Sequence, residues 1–261
     1  MTTTAPERAA VTADAFHRGN FWLVQPRDAG HRAGMDALML AAAVPSDFRG
    51  HLADFGAGAG AAGLAVASRC PHATVTLVEQ SPEMADFARL TLAHEGNAHL
   101  KARVSLLEAD VMLAGKARAA AGLSDNSCDF VIMNPPFNLS RDRATPDELR
   151  RQAHVMEDGL FERWLRSAAA VVRPRGGLAL IARPQSLPQI LAALCGRFGS
   201  AEIMPIHPRA DDAAIRIVLR ARRAARGALA LCPPLVLHEH GHKLSPRADA
   251  VSNGRASLFG D

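Results

Sequence analysis

The apolar run Phe130-Val131-Ile132-Met133, entered from Cys128-Asp129, stops at Asn134-Pro135-Pro136-Phe137. Its length and β-branching predict a central strand. Pro135 has no N–H for a ladder and Pro136 repeats the problem, so the strand must end at Asn134. Each proline also holds the residue before it extended. The product is a rigid lip at the carboxyl end of a strand, where open α/β sheets place their ligands. Asn134 offers an amide oxygen and two N–H donors, the prolines offer carbonyls that only accept, and Phe137 offers a flat ring. The Asn134 oxygen and the Pro135 carbonyl can hold both N–H bonds of a planar NH2 group while its lone pair points elsewhere. A Pro-Pro turn with an Asn cap and a core Phe would look the same in isolation. The rest of the chain decides.

Three strands lead up to this lip in alternation with helices. His51-Leu52-Ala53-Asp54-Phe55 opens into Gly56-Ala57-Gly58-Ala59-Gly60-Ala61-Ala62-Gly63, and a helix from Leu64 to Cys70 is stopped by Pro71. Glycines let the chain turn sharply and let backbone approach a ligand at the positive end of a helix. A second strand, Thr74 to Val78, ends in Glu79 with Gln80 beside it, and a carboxylate there can accept both hydroxyls of a ribose. Ser81 and Pro82 start the next helix, which runs to about His94 and is ended by Gly96. Arg103 to Glu108 is a third strand, followed by Ala109-Asp110-Val111, where Asp110 could accept from an adenine amino group. Alternating elements predict an α/β fold with a doubly wound, mostly parallel sheet. They also set Asp54, Glu79, Asp110 and Asn134 at the carboxyl ends of successive strands, which random placement of polar residues would not do.

The tight Gly-x-Gly-x-Gly spacing argues against a nicotinamide dinucleotide. Its pyrophosphate would lie beside the carboxylate of Asp54. The ammonium of S-adenosylmethionine can instead pair with Asp54, directly or through water. At this point a family resemblance is carried by Asp54 to Gly60, Glu79, Ala109-Asp110 and Asn134-Pro-Pro-Phe137. These resemble the class I S-adenosylmethionine-dependent methyltransferases, in their amino-group-modifying branch. Upstream, Gly34-Met35-Asp36-Ala37-Leu38-Met39-Leu40 is similar to a segment of the bacterial enzymes that methylate the adenine amino group beside the anticodon of a valine tRNA. Met35 stands where that subgroup has Thr. Phe137 stands where Tyr is commoner, and Phe there also occurs in guanine-amino methyltransferases of ribosomal RNA.

The resemblance covers roughly residues 20 to 220 in pattern. It implies a Rossmann-like sheet of seven strands with the last antiparallel. It implies S-adenosyl-L-methionine as cofactor, passing Gly56, Gly58 and Gly60, with Asp54 near its ammonium. Glu79 and Gln80 would lie at the ribose, Asp110 and Val111 at the adenine, and Gly34, Met35, Asp36 and Asn134 would complete the donor site. Asn134, Pro135 and Phe137 would act on the acceptor. The implied substrate is a base amino group in RNA, tRNA adenine N6 first. Ribosomal guanine N2, a protein glutamine amide and a small-molecule oxygen are the alternatives.

The remaining segments add less. At 261 residues with 48% hydrophobic content, the chain fits one large α/β domain with additions. We divide it into an N-terminal arm and helix over 1–45, a methyltransferase domain over 46–225 and a C-terminal extension over 226–261. Met1 to about Asp14 reads as a mobile arm, and Phe21 to Pro26 as a short strand. Residues 138–151 read as a charged loop, Asp158 to Val172 and Leu187 to Phe198 as helices, and Leu178 to Ala182 as a strand. Ala201 to Ile206 and Ala214 to Leu219 read as a closing pair of strands. Arg220 to Arg226 is basic, Cys232 to His238 resembles a short strand, and Lys243 to Arg255 could be an arm lying across RNA. The alternating His238, His240 and His242 fit surface imidazoles better than a metal site. Cys70, Cys128, Cys195 and Cys232 show no CxxC pairing and read as reduced thiols. With no signal-peptide core and no membrane-length apolar run, a cytoplasmic protein without membrane or metal partners is expected. The net charge of +4, carried almost wholly by Arg, fits a nucleic-acid partner and equally a GC-rich genome.

Overall fold

The computed structural model describes residues 11–27, 34–136, 146–239 and 241–261, with only the backbone described over 146–158. The chain opens with an antiparallel hairpin, β1 (Val11–Phe16) and β2 (Phe21–Pro26). Residues 11–14, expected in a loose arm, are therefore strand. Their exposed positions carry Val11, Ala13 and Ala15. Ladder pairing to β2, and not an apolar-in alternation, makes them extended.

There follow α1 (Met35–Ala42), β3 (Gly50–Phe55), α2 (Ala61–Arg69), β4 (Ala73–Glu79), α3 (Pro82–Ala93), β5 (Val104–Glu108), α4 (Gly115–Ala120) and β6 (Cys128–Met133). Next come α5 (Pro146–Val171), β7 (Val172–Ala182), α6 (Leu187–Leu194), β8 (Phe198–His207) and β9 (Arg216–Arg223). The expected loop over 138–151 is thus helix from Pro146 onward. The loop reading weighed interleaved charge, which a long helix with one solvated face tolerates equally well.

The seven principal strands lie in the order β8-β9-β7-β6-β3-β4-β5, with β9 antiparallel to both its neighbours. That is the expected seven-stranded, mostly parallel sheet. It is lengthened on its outer edge by β10 (Ala230–Leu231) and β11 (Leu235–Val236), both parallel to β8. The chain lays β3, β4 and β5 outward in one direction, then returns to lay β6 and β7 in the other. The switch falls between β3 and β6, which is where doubly wound sheets open a crevice.

Both faces of the sheet are covered, so β6 is apolar without interruption from Phe130 to Met133. Phe130 and Ile132 pack into the core under α1, α2 and α3, while Val131 and Met133 pack into the core under α5 and α6. The hairpin is fixed to α3 by side chains that satisfy the free edge of β2. Trp22 N donates to Asn97 Oδ1 (2.8 Å), Asn97 Nδ2 donates back to Trp22 O (2.7 Å), and Val24 N donates to Thr91 Oγ1 (2.9 Å).

The C-terminal segment is not a free arm. Residues Pro246–Ser252 form α7, capped by Ser245, with Ala248 and Val251 buried in the core beside α1. Leu258 N donates to Ala42 O, and Arg220 holds the Asp261 carboxylate. Only two small apolar residues face inward over these seven, too few to stand out in a polar sequence. No helix of the described residues is long and apolar enough to cross a membrane. The described residues hold no cluster of three or more His, Cys, Asp or Glu suited to a metal, and His240 lies outside them.

Candidate active site

Register brings the predicted polar residues to one edge. Phe55 pairs with Met133 on one side and Val78 on the other, and Glu79 pairs with Glu108. Asn134, Glu79 and Asp110 stand at or just past the ends of β6, β4 and β5, while Asp54 lies one residue before the end of β3, after which Gly56 begins the loop. Three strand spacings of roughly 4.8 Å put them within about 14 Å along the edge.

The glycine loop is shaped by three left-handed residues, Gly56 (φ +69°), Gly58 (φ +56°) and Gly60 (φ +97°). Gly56 N and Ala57 N both donate to Val78 O (2.9 and 3.0 Å), so the turn hangs from β4. A methyl on Gly56 would lie 2.6 Å from Cη2 of Trp164, a residue of α5 that floors the loop. At Gly58 the same methyl would meet only Met84 Cε, at 3.6 Å. The loop is therefore tightly packed at its first glycine and only in ordinary contact with Met84 at its second.

Carboxylates hold the loop's backbone. Asp54, 2% exposed, accepts from Gly63 N through Oδ2 (2.8 Å). Burial pushes its carboxyl up to about 7, opposed by the Gly63 hydrogen bond and reinforced by the charge of Glu79. Glu79 is also buried. Its Oε2 accepts from Gly58 N and its Oε1 from Ser81 N, both at 2.8 Å. Each carboxylate oxygen keeps a second lone pair for a ligand. Asp110 Oδ1 accepts from Met112 N (2.8 Å), closing the turn after β5. Gln80 is exposed beside Glu79, whereas Val111 is buried in the core under α5.

At the lip, Pro135 is buried and Pro136 exposed, and Phe137 lies outside the described residues. Asn134 Oδ1 is buried with no hydrogen-bond partner among the described residues. Such an acceptor costs about 1–3 kcal/mol. On the other side of the crevice, Asp36 at the start of α1 accepts from Arg216 Nε (2.8 Å), while Gly34 is exposed and Met35 half-buried. Arg216 opens the antiparallel β9, which places it at the same carboxyl edge. Sequence reasoning missed Arg216 and Trp164. The first meets Asp36 across 180 residues, a pairing that no local pattern signals even where the reversed strand is expected. The second sits in an apolar helical stripe that reads as plain core.

Residues 32–205 match the family model described as methyltransferase small domain. The chain belongs to this family. The chain is similar to the tRNA1(Val) (adenine(37)-N6)-methyltransferase of Porphyromonas gingivalis, 30% identical over 154 residues. That match covers 58% of this chain and 58% of that relative, so the likeness spans little more than half of each. A crystal structure from Agrobacterium tumefaciens, described as a predicted O-methyltransferase, is 45% identical with a TM-score of 0.75. It covers 85% of this chain and 98% of its own. The Thermus thermophilus 16S rRNA N2 G1207 methyltransferase, solved with AdoMet and guanosine, shares the fold at 20% identity and TM-score 0.53, over 84% of this chain and 52% of that one. The crevice suits S-adenosylmethionine, the cofactor that the sequence resemblance implies. A methyl at Gly58 would meet only Met84, and Glu79 has lone pairs to spare at the rim.

The two glycines predict separable variants. Gly56→Ala combines a strained φ with a clash against Trp164, and should cost about 2–5 kcal/mol in denaturant unfolding. Gly58→Ala carries strain alone, about 1–2 kcal/mol, but puts its methyl where the backbone would meet the donor. It should fold and lose tenfold or more in donor affinity by calorimetry. Equal donor affinity in Gly58→Ala would show that the loop does not approach the cofactor.

Proposed function

We propose that this methyltransferase acts on the exocyclic amino group of a base in RNA, with adenine N6 of a tRNA as the substrate that fits best. The observation that carries this reading is the buried, unpartnered Oδ1 of Asn134 at the end of β6. An amide oxygen accepts a hydrogen bond but does not take a proton. It therefore suits an NH2 group, which needs orienting, better than a hydroxyl, which needs deprotonating. With the Pro135 carbonyl it would hold both N–H bonds and leave the nitrogen lone pair facing the crevice. Phe137 would stack on the base, offsetting part of the few kcal/mol needed to splay it from a folded RNA.

On the donor side, Gly56, Gly58 and Gly60 would pass the methionine part, and Glu79 and Gln80 would meet the ribose. Asp110 would meet the adenine, with Val111 supporting its turn from the core. Gly34, Met35 and Asp36, latched by Arg216, would close the far wall. Asp54 would meet the donor's ammonium. The bound cofactor supplies an electrophilic methyl group. The residues of the lip supply alignment, which can contribute roughly 7–11 kcal/mol to a well-oriented reaction. Their acceptors also strengthen as positive charge grows on nitrogen, which favours the transition state. The proton is lost to water after transfer.

Radiolabelled methyl transfer to unmodified tRNA, rRNA, protein and small-molecule fractions tests this reading. Label in tRNA that digests to N6-methyladenosine is expected. N2-methylguanosine in rRNA would move the substrate to the other RNA branch, and label confined to protein or to a small-molecule oxygen would overturn the reading.

A further inference from the structure

The basic stretch that ends β9 and runs on to Arg226 lies away from the transfer site. Arg220 turns inward to Glu202 and Asp261, and Arg223 donates to Val172 O and Asn126 Oδ1. Arg222 and Arg226 are exposed, and no carboxylate partner among the described residues answers either. Arg222 pairs in the ladder with Gly177, two residues from Arg175, which is likewise exposed and without such a partner. Arg175 sits at φ +66°, where an arginine costs about 1–2 kcal/mol that glycine would not. All three lie at the amino edge of the sheet, a strand's length (about 20 Å) from the lip.

Further along that edge, beside β3, β4 and β5, is a recess of about 250 Å³. His51, Thr74, Thr76, Lys101, Arg103 and Ser105 line it, and no carboxylate does. Thr76 Oγ1 sits between His51 Nε2 (2.9 Å) and Ser105 Oγ (3.2 Å). Of the nearby acids, Asp129 is held by Arg173 and by His51 N and Asp125 by Arg118, while Asp47 stands exposed near Cys70 outside the recess lining. Cations and hydroxyls without carboxylates are the donor set that phosphate oxygens take, and guanidinium forks match them in pairs.

We propose that this amino edge, from Arg226 to Lys101, is a second contact surface that binds the phosphodiester backbone of the RNA whose base is methylated at the opposite edge. It rests on the RNA reading above and adds where the body of that RNA lies. The test is a variant combining Arg175→Ala, Arg222→Ala, Arg226→Ala and Lys101→Ala, all exposed side chains. Its binding to a transcribed, unmodified tRNA pool is followed across a salt series, with thermal melting as the check on folding. Four lost phosphate contacts should flatten the slope of log K against log salt by about 3, at 0.7–0.9 per contact. A companion variant, Arg175→Lys, Arg222→Lys and Arg226→Lys with Lys101 kept, should hold the wild-type slope. An unchanged slope in the alanine variant overturns the surface while leaving the RNA reading standing. So does a loss confined to polyglutamate, which would assign the edge to an acidic protein. Wild-type protein that shows no salt-dependent RNA binding overturns both.

Discussion

Asn134→Ala is expected to lower methyl transfer by 10²–10³-fold, the usual loss for one group aimed at developing charge. Donor affinity should stay close to wild type, because only one wall of the crevice changes. Stability should not fall. The Oδ1 removed is buried and unpartnered, so its loss relieves a desolvation cost of about 1–3 kcal/mol against a small loss of packing. A variant that melts no lower than wild type, binds the donor and fails to transfer would mark Asn134 as a residue whose strain serves the reaction. Normal turnover in that variant would remove the lip from the mechanism altogether.

Asn134→Gln sharpens the point. It keeps the amide but moves it outward by one methylene, and a displacement of that order can cost about 10²-fold in a positioned reaction. Recovery of rate in Gln would mean that the amide acts by polarity alone. Loss in both variants would mean that it acts by place.

Why was Asn134 legible in the sequence while Trp164 and Arg216 were not? The lip is local. Two prolines after a β-branched run fix where the strand ends, and a strand end in an α/β sheet is a ligand edge. Glu79 and the glycine loop were legible for the same reason, since their roles follow from neighbours within a few residues. Arg216 meets Asp36 across 180 residues. That pairing depends on β9 running against its neighbours. Trp164 floors the loop from a helix more than a hundred residues away, and nothing in an apolar stripe says which residue will touch a glycine. The two ends of the chain failed differently. Strand β1 alternates apolar and polar residues from Val11 to Ala15 but turns its apolar ones outward, and α7 buries only two small side chains, so neither shows the apolar-in pattern of a core element.

Asp54 should make both stability and donor binding depend on pH, with opposite signs. Its carboxyl is raised by burial to about 7, well above the 3.8 of the unfolded chain. Between those values the folded state holds a proton that the unfolded state has released, so stability falls as pH rises from about 4 to about 7. The full shift corresponds to about 4 kcal/mol, reached above pH 7. Asp54→Asn keeps an oxygen for Gly63 N, so it should flatten this profile and melt higher than wild type at pH 8. The donor's ammonium would pair with the ionised carboxylate. Wild-type donor affinity should therefore fall about tenfold per pH unit below 7, and level off above it until the donor's own amine begins to titrate near 8. In Asp54→Asn the affinity should be weak and flat over the same range. Calorimetric titration of the donor alongside thermal melts, both across pH, reads the two slopes on one protein. A stability slope without an affinity slope would leave Asp54 as a support for the loop that never meets the ammonium.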